Sequence, residues 1–226
     1  MKFLVDTANL ESIKRAYEFY ACDGVTTNPS ILAKQGQAPY KTLLAIREFI
    51  GDDAALHVQV TSDKAEGMIE EARVIVSRLG KMTYVKIPTT EEGLKAMKAL
   101  SAEGFLITAT AIYTTAQAYL AAKAGAHFVA PYVNRMDNLG GDGIESTRKI
   151  QNILENNGFD TQVLAASFKN SHQVMELCEY GIGACTVAPE VIDGLIKNAN
   201  VTAAVDAFTK DFYSLCGEGK SMIDCD

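Results

Sequence analysis

The chain has 226 residues, of which 48% are hydrophobic, and it carries a formal net charge of −7 at pH 7. A chain of this length can bury a sizeable core, and it suits one large domain or two small ones. It contains no basic run of the kind that binds nucleic acid, and no apolar run near the roughly 20 residues that a membrane span needs. We therefore expect neither nucleic acid nor a membrane as a partner.

The N-terminus and the cysteines both indicate a reducing compartment. Asp6 interrupts the apolar start where a signal peptide would continue, so we expect a soluble, cytoplasmic protein. Five cysteines are widely spaced and include no C-x-x-C pair, which predicts free thiols and no structural zinc. The three histidines (His57, His127 and His172) share no ligand spacing, so we expect no metal and no other cofactor.

Strand-like and helix-like segments alternate along the chain, as in βαβ units that feed a parallel sheet. Strands are predicted at residues 2–6, 24–27, 56–60, 83–87, 105–110, 127–133, 162–167 and 184–187. Helices are predicted at residues 10–21, 39–50, 63–79, 91–103, 115–124, 143–156, 171–180 and 189–197. A final helix is predicted at residues 201–215. The glycine-rich segment 134–143 is predicted to be a flexible loop, and a dedicated phosphate-binding loop is the less favoured alternative.

Eight such units predict a single-domain (β/α)8 TIM barrel of the α/β class. An open doubly wound sheet is less favoured, because no G-x-G-x-x-G fingerprint follows the first strand. We place the catalytic barrel at residues 1–200, and an additional C-terminal helix and tail at residues 201–226.

Lys86 is the most unusual residue of the predicted strands. Its neighbours Tyr84, Val85 and Ile87 suit a buried parallel strand, and Pro88 closes that strand. Burial lowers the pKa of a lysine, and the neutral amine that results can attack a carbonyl to form a Schiff base. The alternative is a lysine at the strand end whose side chain reaches solvent.

Side-chain parity places a set of polar groups on the same face as Lys86. If Lys86 points into the barrel, then His57, Gln59, Thr108, Thr110 and Tyr132 also point inward. Polar residues at the C-terminal ends of strands are where barrel enzymes build active sites, and here they are Asp6, Asn28, Gln59, Thr110, Tyr132 and Ser167. Acid, amide and hydroxyl groups around a buried lysine can move the protons of an aldol reaction. Tyr84 shares the inward parity, and we expect it to pack below the lysine.

The same rim suggests a phosphate site. Arg135 follows the sixth strand, while Ser167 and Lys169 close the seventh strand ahead of a helix start at Asn170-Ser171. The alternative for Arg135 is a surface ion pair with Asp137 or Asp142.

Five segments together resemble the small-subunit transaldolase and fructose-6-phosphate aldolase family. They are Val5-Asp6-Thr7-Ala8-Asn9, Thr26-Thr27-Asn28-Pro29-Ser30, Val85-Lys86-Ile87-Pro88, Ala130-Pro131-Tyr132-Val133-Asn134-Arg135 and Ala165-Ala166-Ser167-Phe168-Lys169. The resemblance implies a barrel with a Schiff-base lysine at Lys86 and sugar-phosphate substrates.

The resemblance also implies roles for further residues. Asp6 and Asn28 would flank the substrate hydroxyls, with Thr27 beside them in the binding site. Thr110 would help to hold a catalytic water, and Arg135 and Ser167 would bind phosphate. Lys169 stands where larger relatives carry an arginine; it supplies charge but not a bidentate fork.

Two positions separate the branches of the family. Transaldolases typically carry glutamate and phenylalanine where this chain has Gln59 and Tyr132, so the chain looks like the aldolase branch. The expected reaction is cleavage or formation of fructose 6-phosphate from dihydroxyacetone and glyceraldehyde 3-phosphate.

Three other readings stay open: a transaldolase, a sugar-phosphate-binding barrel without catalysis, and a metal-dependent aldolase, which the scattered histidines disfavour. The resemblance further implies a homo-oligomer, a pentamer or decamer, in which helix 201–215 packs on a neighbouring subunit. A cap within the chain would give the same sequence pattern.

Overall fold

Eight parallel strands close into a barrel in chain order in the computed structural model, which describes residues 1–225. Each strand pairs with the next, and the last pairs with the first. The strands are β1 (Lys2–Asp6), β2 (Gly24–Thr26), β3 (Ala55–Gln59), β4 (Thr83–Pro88), β5 (Ile107–Ile112), β6 (Phe128–Pro131), β7 (Gln162–Ala165) and β8 (Ala184–Val187). The predicted (β/α)8 barrel is confirmed.

Helices alternate with the strands. They are α1 (Leu10–Phe19), α2 (Pro29–Ala33), α3 (Pro39–Ile50), α4 (Ala65–Leu79), α5 (Glu91–Ala102), α6 (Thr115–Lys123), α7 (Val133–Asn138), α8 (Gly143–Asn156), α9 (Ser171–Tyr180), α10 (Pro189–Ile196) and α11 (Ala199–Cys216). A short 3₁₀ turn at Met222–Asp224 follows α11. Local signals account for several of these helix starts: Thr114 and Gln117, for example, form a reciprocal capping box at α6.

Aromatic and aliphatic side chains fill part of the barrel interior. Leu4, Tyr84, Phe128, Leu164 and Ala184 form one buried cluster. Tyr84 also stacks on the fully buried imidazole of His57, with ring centroids 4.6 Å apart and planes 8° from parallel. Tyr84 precedes Lys86 by two positions along β4, so the two side chains point to the same face of the strand. The prediction that Tyr84 packs below the lysine is confirmed.

The fifth strand lies further along the chain than predicted. It runs from Ile107 to Ile112, because an irregularity in its pairing with β6 between Ala109 and Ile112 lets the strand continue past Thr110. Ala111 within this irregularity has a φ of 57°, a conformation that non-glycine residues rarely adopt. The strain lies next to Thr110, one of the predicted site residues.

Two short helices were not predicted. Asn28 ends the β2 connection and starts α2, with Pro29 at the first helical position. The segment predicted to be a flexible loop, residues 134–143, is largely helical, since α7 covers Val133–Asn138 and α8 begins at Gly143. That prediction was wrong because the glycines cluster after α7 and not within it.

Contacts within the chain define two units. The first, Met1–Ile192, holds the barrel, and the second begins at Asp193 and holds α11. No residue of α11 is buried within the chain. None of the helices in residues 1–225 is both long and apolar enough to cross a membrane.

Candidate active site

Lys86 lies inside the barrel and does not reach solvent. The residue is only 6% exposed, and its Nζ donates a hydrogen bond of 2.8 Å to the backbone carbonyl of Thr27. Burial lowers the pKa of Lys86, and Arg135 lowers it further by repulsion, while attraction to Asp6 opposes both. Burial thus shifts the pKa in the direction that favours the neutral, nucleophilic amine, and the alternative of a lysine whose side chain reaches solvent is wrong.

Asp6 ends β1 on the same side of the barrel. Its Oδ1 accepts a hydrogen bond of 2.7 Å from the hydroxyl of Thr26, its partner in the β1–β2 register. The residue keeps some exposed surface, but the atoms packed around the carboxyl raise its pKa; Lys86 and Thr26 oppose this rise, and Glu190 adds to it. A carboxyl with a raised pKa beside a lysine with a lowered one can exchange a proton at low energetic cost.

Thr27 and Asn28 support the site through local hydrogen bonds. The Thr27 hydroxyl is fully buried and donates to the backbone carbonyl of His57 at 3.0 Å, so its contribution to Lys86 comes from its backbone. The Asn28 side chain caps α2, accepting from the backbone N–H of Ile31 at 2.9 Å. Asn28 also lines a cavity at the barrel mouth.

Gln59 and Thr110 lie in β3 and β5, the two strands that pair with β4, and Tyr132 directly follows β6. Gln59 stands opposite Lys86 in the β3–β4 register. The Thr110 hydroxyl lies 2.8 Å from the Tyr132 hydroxyl, which joins β5 to the residue that follows β6. The two side chains therefore meet, and the free hydrogen-bonding capacity of the paired hydroxyls can bind a water molecule next to them.

A cavity of about 420 Å³ opens at the C-terminal mouth of the barrel. Its walls combine acids, cations, amides and hydroxyls, namely Asp6, Thr7, Ser12, Asn28, Ser30, Ile31, Lys34, Gln35, Arg135, Ala188, Pro189 and Glu190. This volume lies within the range of small-molecule sites. The cavity brings the predicted residues Asp6, Asn28 and Arg135 together.

Arg135 projects over aromatic rings. Its guanidinium carbon lies 4.5 Å from the centre of the Tyr132 ring, and Nη1 approaches the Tyr113 hydroxyl at 3.4 Å. The two aspartates considered as its partners are engaged elsewhere: Asp137 accepts from Gly143 and Gln173, and Asp142 caps α8. The structure therefore contradicts the alternative of a surface ion pair between Arg135 and either aspartate.

Ser167 and Lys169 follow β7. Neither belongs to the described residues that line the mouth cavity. Ser167 has a φ of 61°, and its carbonyl accepts from the backbone N–H of Asn134 at 2.9 Å, next to Arg135 in the chain. Lys169 is exposed, and its backbone N–H donates to Gln173. Ser167 is thus held at the same rim as Arg135 in a conformation unusual for serine.

The sequence analysis assigned no role to several polar residues near the site, among them Thr26, Lys34, Thr186 and Glu190. Thr26 had a signal, since it belongs to the Thr-Thr-Asn-Pro-Ser segment. Lys34, Thr186 and Glu190 had none, because a side chain's position near the mouth depends on how α2, β8 and α10 are placed by the closed barrel.

The histidines were considered above as possible metal ligands. His57 is fully buried, with Nδ1 2.9 Å from the Thr108 hydroxyl, and burial together with Lys86 and Lys2 holds its pKa well below the usual range. Within residues 1–225, no three His, Cys, Asp or Glu side chains gather where they could hold a metal ion.

Comparison with known proteins assigns the family. The sequence model of the Transaldolase/Fructose-6-phosphate aldolase family matches residues 3–219. Similar relatives include a protein named "Probable transaldolase" from Thermodesulfovibrio yellowstonii, 41% identical over 215 residues, which covers 95% of this chain and 99% of the relative. Proteins of the same name from Coprothermobacter proteolyticus and Aquifex aeolicus are 38% and 40% identical over 217 and 212 residues, covering 96% and 94% of this chain and 99% and 96% of the relatives. The chain belongs to the Transaldolase/Fructose-6-phosphate aldolase family.

Proposed function

We propose that this protein is a Schiff-base enzyme that removes a dihydroxyacetone unit from a ketose phosphate and transfers it to an aldose phosphate, as a transaldolase does. The observation that carries the proposal is the enclosed amine of Lys86, which is 6% exposed, has its pKa lowered by burial, and interacts electrostatically with the Asp6 carboxyl. The names of the three relatives also favour the transferase over the aldolase that the sequence ranked first.

The reaction starts at the amine. The neutral Nζ of Lys86 adds to the ketone carbon C2 to form a carbinolamine. The carbinolamine hydroxyl takes a proton from the protonated Asp6 carboxyl and leaves as water, which gives a protonated Schiff base and the Asp6 carboxylate. Asp6 then accepts the proton of the C4 hydroxyl; the C3–C4 bond breaks, and its electron pair moves into the Schiff base to form an enamine. The shortened aldose phosphate leaves, and an acceptor aldehyde adds to the enamine by the reverse steps.

The other site residues position the substrate and a water molecule. Asn28, at the mouth, is suited to hold the hydroxyls of the sugar, and Arg135 supplies charge for the phosphate. Ser167, on the same rim, is proposed to add a hydroxyl contact to the phosphate. Thr110 and Tyr132 hold the water that carbinolamine dehydration releases and hydrolysis consumes.

A second function, release of free dihydroxyacetone from fructose 6-phosphate, is favoured by one specific observation. The Tyr132 hydroxyl lies 2.8 Å from Thr110, where a phenol can direct water and a proton to the enamine. A phenylalanine at that position would leave the enamine intact until an acceptor arrived. Gln59, opposite Lys86 in the register, is the second residue of the aldolase pattern.

The two functions are separated by supplying fructose 6-phosphate with and without erythrose 4-phosphate and measuring free dihydroxyacetone and sedoheptulose 7-phosphate. A transferase turns over only with the acceptor; sustained dihydroxyacetone release without it would replace the transferase with the lyase. Under the second function, Tyr132→Phe is expected to lower dihydroxyacetone release without acceptor about tenfold or more relative to the parent, while transfer persists.

Covalent trapping tests the step that both functions share. Borohydride reduction in the presence of dihydroxyacetone is expected to modify the peptide that contains Lys86 and no other lysine peptide. Ligand-dependent thermal stabilisation with an unmodified Lys86 peptide would leave only a sugar-phosphate-binding barrel without catalysis.

We also propose that the enzyme works as a homo-oligomer of the pentamer or decamer type, built through α11. The support is that α11 has 18 residues, none of them buried within the chain, and carries large exposed apolar side chains at Val201, Val205 and Phe208. These positions follow an i, i+4, i+7 pattern and form one face of the helix.

A further inference from the structure

Three side chains form a hydrogen-bonded chain across the closing seam of the barrel. Thr186 in β8 is 3% exposed, and its hydroxyl oxygen lies 2.6 Å from that of Thr26 in β2, which is fully buried. Thr26 in turn lies 2.7 Å from Oδ1 of Asp6 in β1. This hydrogen-bonded chain therefore runs from Thr186, which has no role in the proposed reaction, to the carboxyl of Asp6, which has one.

Counting hydrogens gives this chain a direction. An ionised carboxylate only accepts hydrogen bonds, and a threonine hydroxyl has a single hydrogen to donate. When Asp6 is ionised, the hydrogen of Thr26 points to Asp6, so the short contact between the two threonines requires Thr186 to be the donor.

We propose that Thr186 is a positioning residue for Asp6: by donating to Thr26, it holds the Thr26 hydroxyl aimed at the carboxylate and keeps the carboxylate turned toward the substrate. This inference rests on the proposed function of Asp6 as the base that accepts the C4 hydroxyl proton. Thr186 does not itself touch substrate; it acts through Thr26.

The alignment has an electrostatic consequence. Hydrogen bonds in a buried chain polarise one another, so the donation by Thr186 strengthens the bond from Thr26 to the ionised carboxylate. The charged groups that face Asp6 are Lys86 from β4, Arg135 from α7 and Glu190 from the start of α10. Thr186 is uncharged, so replacing it changes the hydrogen-bond chain and leaves these charges as they are.

The test compares Thr186→Val, which keeps the shape and removes the hydroxyl, with Thr186→Ser, which keeps the hydroxyl. Thr147→Val is the matched control, because Thr147 is also fully buried and donates one hydrogen bond, at 2.7 Å, to the Gly143 carbonyl in α8. For each variant we would measure kcat and KM for fructose 6-phosphate with erythrose 4-phosphate, and kcat against pH.

Thr186→Val is expected to lower kcat about tenfold, the effect of losing one aligned buried hydrogen bond, with KM within about twofold of the parent. The acidic limb of its kcat profile is expected to move to higher pH, since the ionised form of Asp6 loses support. This limb reports Asp6 because kcat reflects the substrate complex, in which the amine of Lys86 is already bonded to substrate. Thr186→Ser is expected to restore kcat and the limb, and Thr147→Val to change neither.

Parental kcat and an unmoved acidic limb in Thr186→Val, or a Thr186→Ser enzyme as slow as the valine variant, would overturn the inference. Should the valine variant fail to fold, Thr186→Ala, which leaves space and removes the same hydroxyl, takes its place in the comparison. Failure of the proposed function is a different result: the parent itself would give no borohydride-trapped adduct at Lys86, and the positioning inference would fall with it.

Discussion

A lysine enclosed in a barrel of parallel strands is costly to protonate, and the site is built around that cost. The hydrogen bond from Lys86 goes to a neutral carbonyl, which satisfies the amine without favouring its charged form as strongly as a second carboxylate would. The imidazole of His57 is also held neutral, so it adds no positive charge near Lys86. At this scale the proposed chemistry depends on a small number of desolvated groups.

Replacing Lys86 by methionine should separate activity from stability. Turnover is expected to fall by about four orders of magnitude or more, because the covalent nucleophile is lost. The fold is expected to tolerate the change, since methionine is unbranched and apolar and fills a similar volume. Steady-state assays with both sugar phosphates measure the first effect, and residual turnover near the parental rate would contradict the assignment of Lys86.

The pH dependence of stability provides an independent test of Lys86. Its pKa is lowered in the fold from the ordinary value of 10.5. At a pH between the lowered pKa of the folded state and 10.5, Lys86 binds a proton in the unfolded chain but not in the folded one. The free energy of unfolding of the parent therefore rises with pH in that window. Urea unfolding of parent and Lys86→Met at several pH values from 7 to 10 should show a smaller slope in the variant. Equal slopes would mean that the amine titrates normally in the fold.

At the scale of the elements, the junction between β4 and α5 holds the lysine strand in place. Pro88 ends β4, and Thr90 caps α5 by accepting from the backbone N–H of Gly93 at 3.0 Å. A Cβ atom on Gly93 would meet the carbonyl oxygen of Pro88, two residues from Lys86. The turn therefore needs a residue without a side chain for a steric reason.

Gly93→Ala is expected to destabilise the protein by about 1–3 kcal/mol, since the added methyl group must displace backbone at the end of β4. A displacement there also moves Lys86, so activity should fall with stability. Gly194→Ala in α10 is the matched control: nothing lies within 4 Å of its Cβ position, and alanine should stabilise the helix by about 0.5–1 kcal/mol. Chemical denaturation of both variants measures the difference, and equal effects would refute the steric explanation.

At the scale of the whole molecule, α11 carries a row of apolar side chains that are not buried within the chain. Phe208 is 71% exposed, and Val201 and Val205 on the same face are more than half exposed. Exposed apolar side chains in a row on a helix mark an interaction surface. The proposed oligomer would bury this face against another copy of the chain.

Phe208→Asp is expected to reduce the size of the assembly measured by light scattering after size-exclusion chromatography, because it places a charge in an apolar interface. Ala203→Asp, on the opposite side of α11, adds the same side chain outside that face and should leave the size unchanged. A parent that is monomeric at micromolar concentration would end the proposal that the enzyme assembles through α11.

Much of the barrel could be predicted because its signals are local. Alternating strand and helix patterns predicted all eight strands. The period-two alternation of side chains predicted that Lys86, His57, Thr108 and Thr110 point to the same side of the sheet. The shift of β5 was not predictable, since the irregularity at Ala111 depends on pairing with β6. The helix α7 was missed because glycines that follow it suggested a loop.

The sequence by itself determined the eight-unit order, the buried lysine and the acid at the end of the first strand, since period, propensity and strand ends are properties of neighbouring residues. Only the tertiary structure decided which groups these residues contact. Lys86 donates to the carbonyl of Thr27, the hydroxyls of Thr110 and Tyr132 are hydrogen-bonded, and Thr186 is hydrogen-bonded to Thr26, which donates to Asp6. These contacts join residues from 20 to 160 positions apart, and the closure of β8 onto β1 creates the longest of them. No local pattern carries that information, because the register between distant strands is set by how the whole barrel closes and packs.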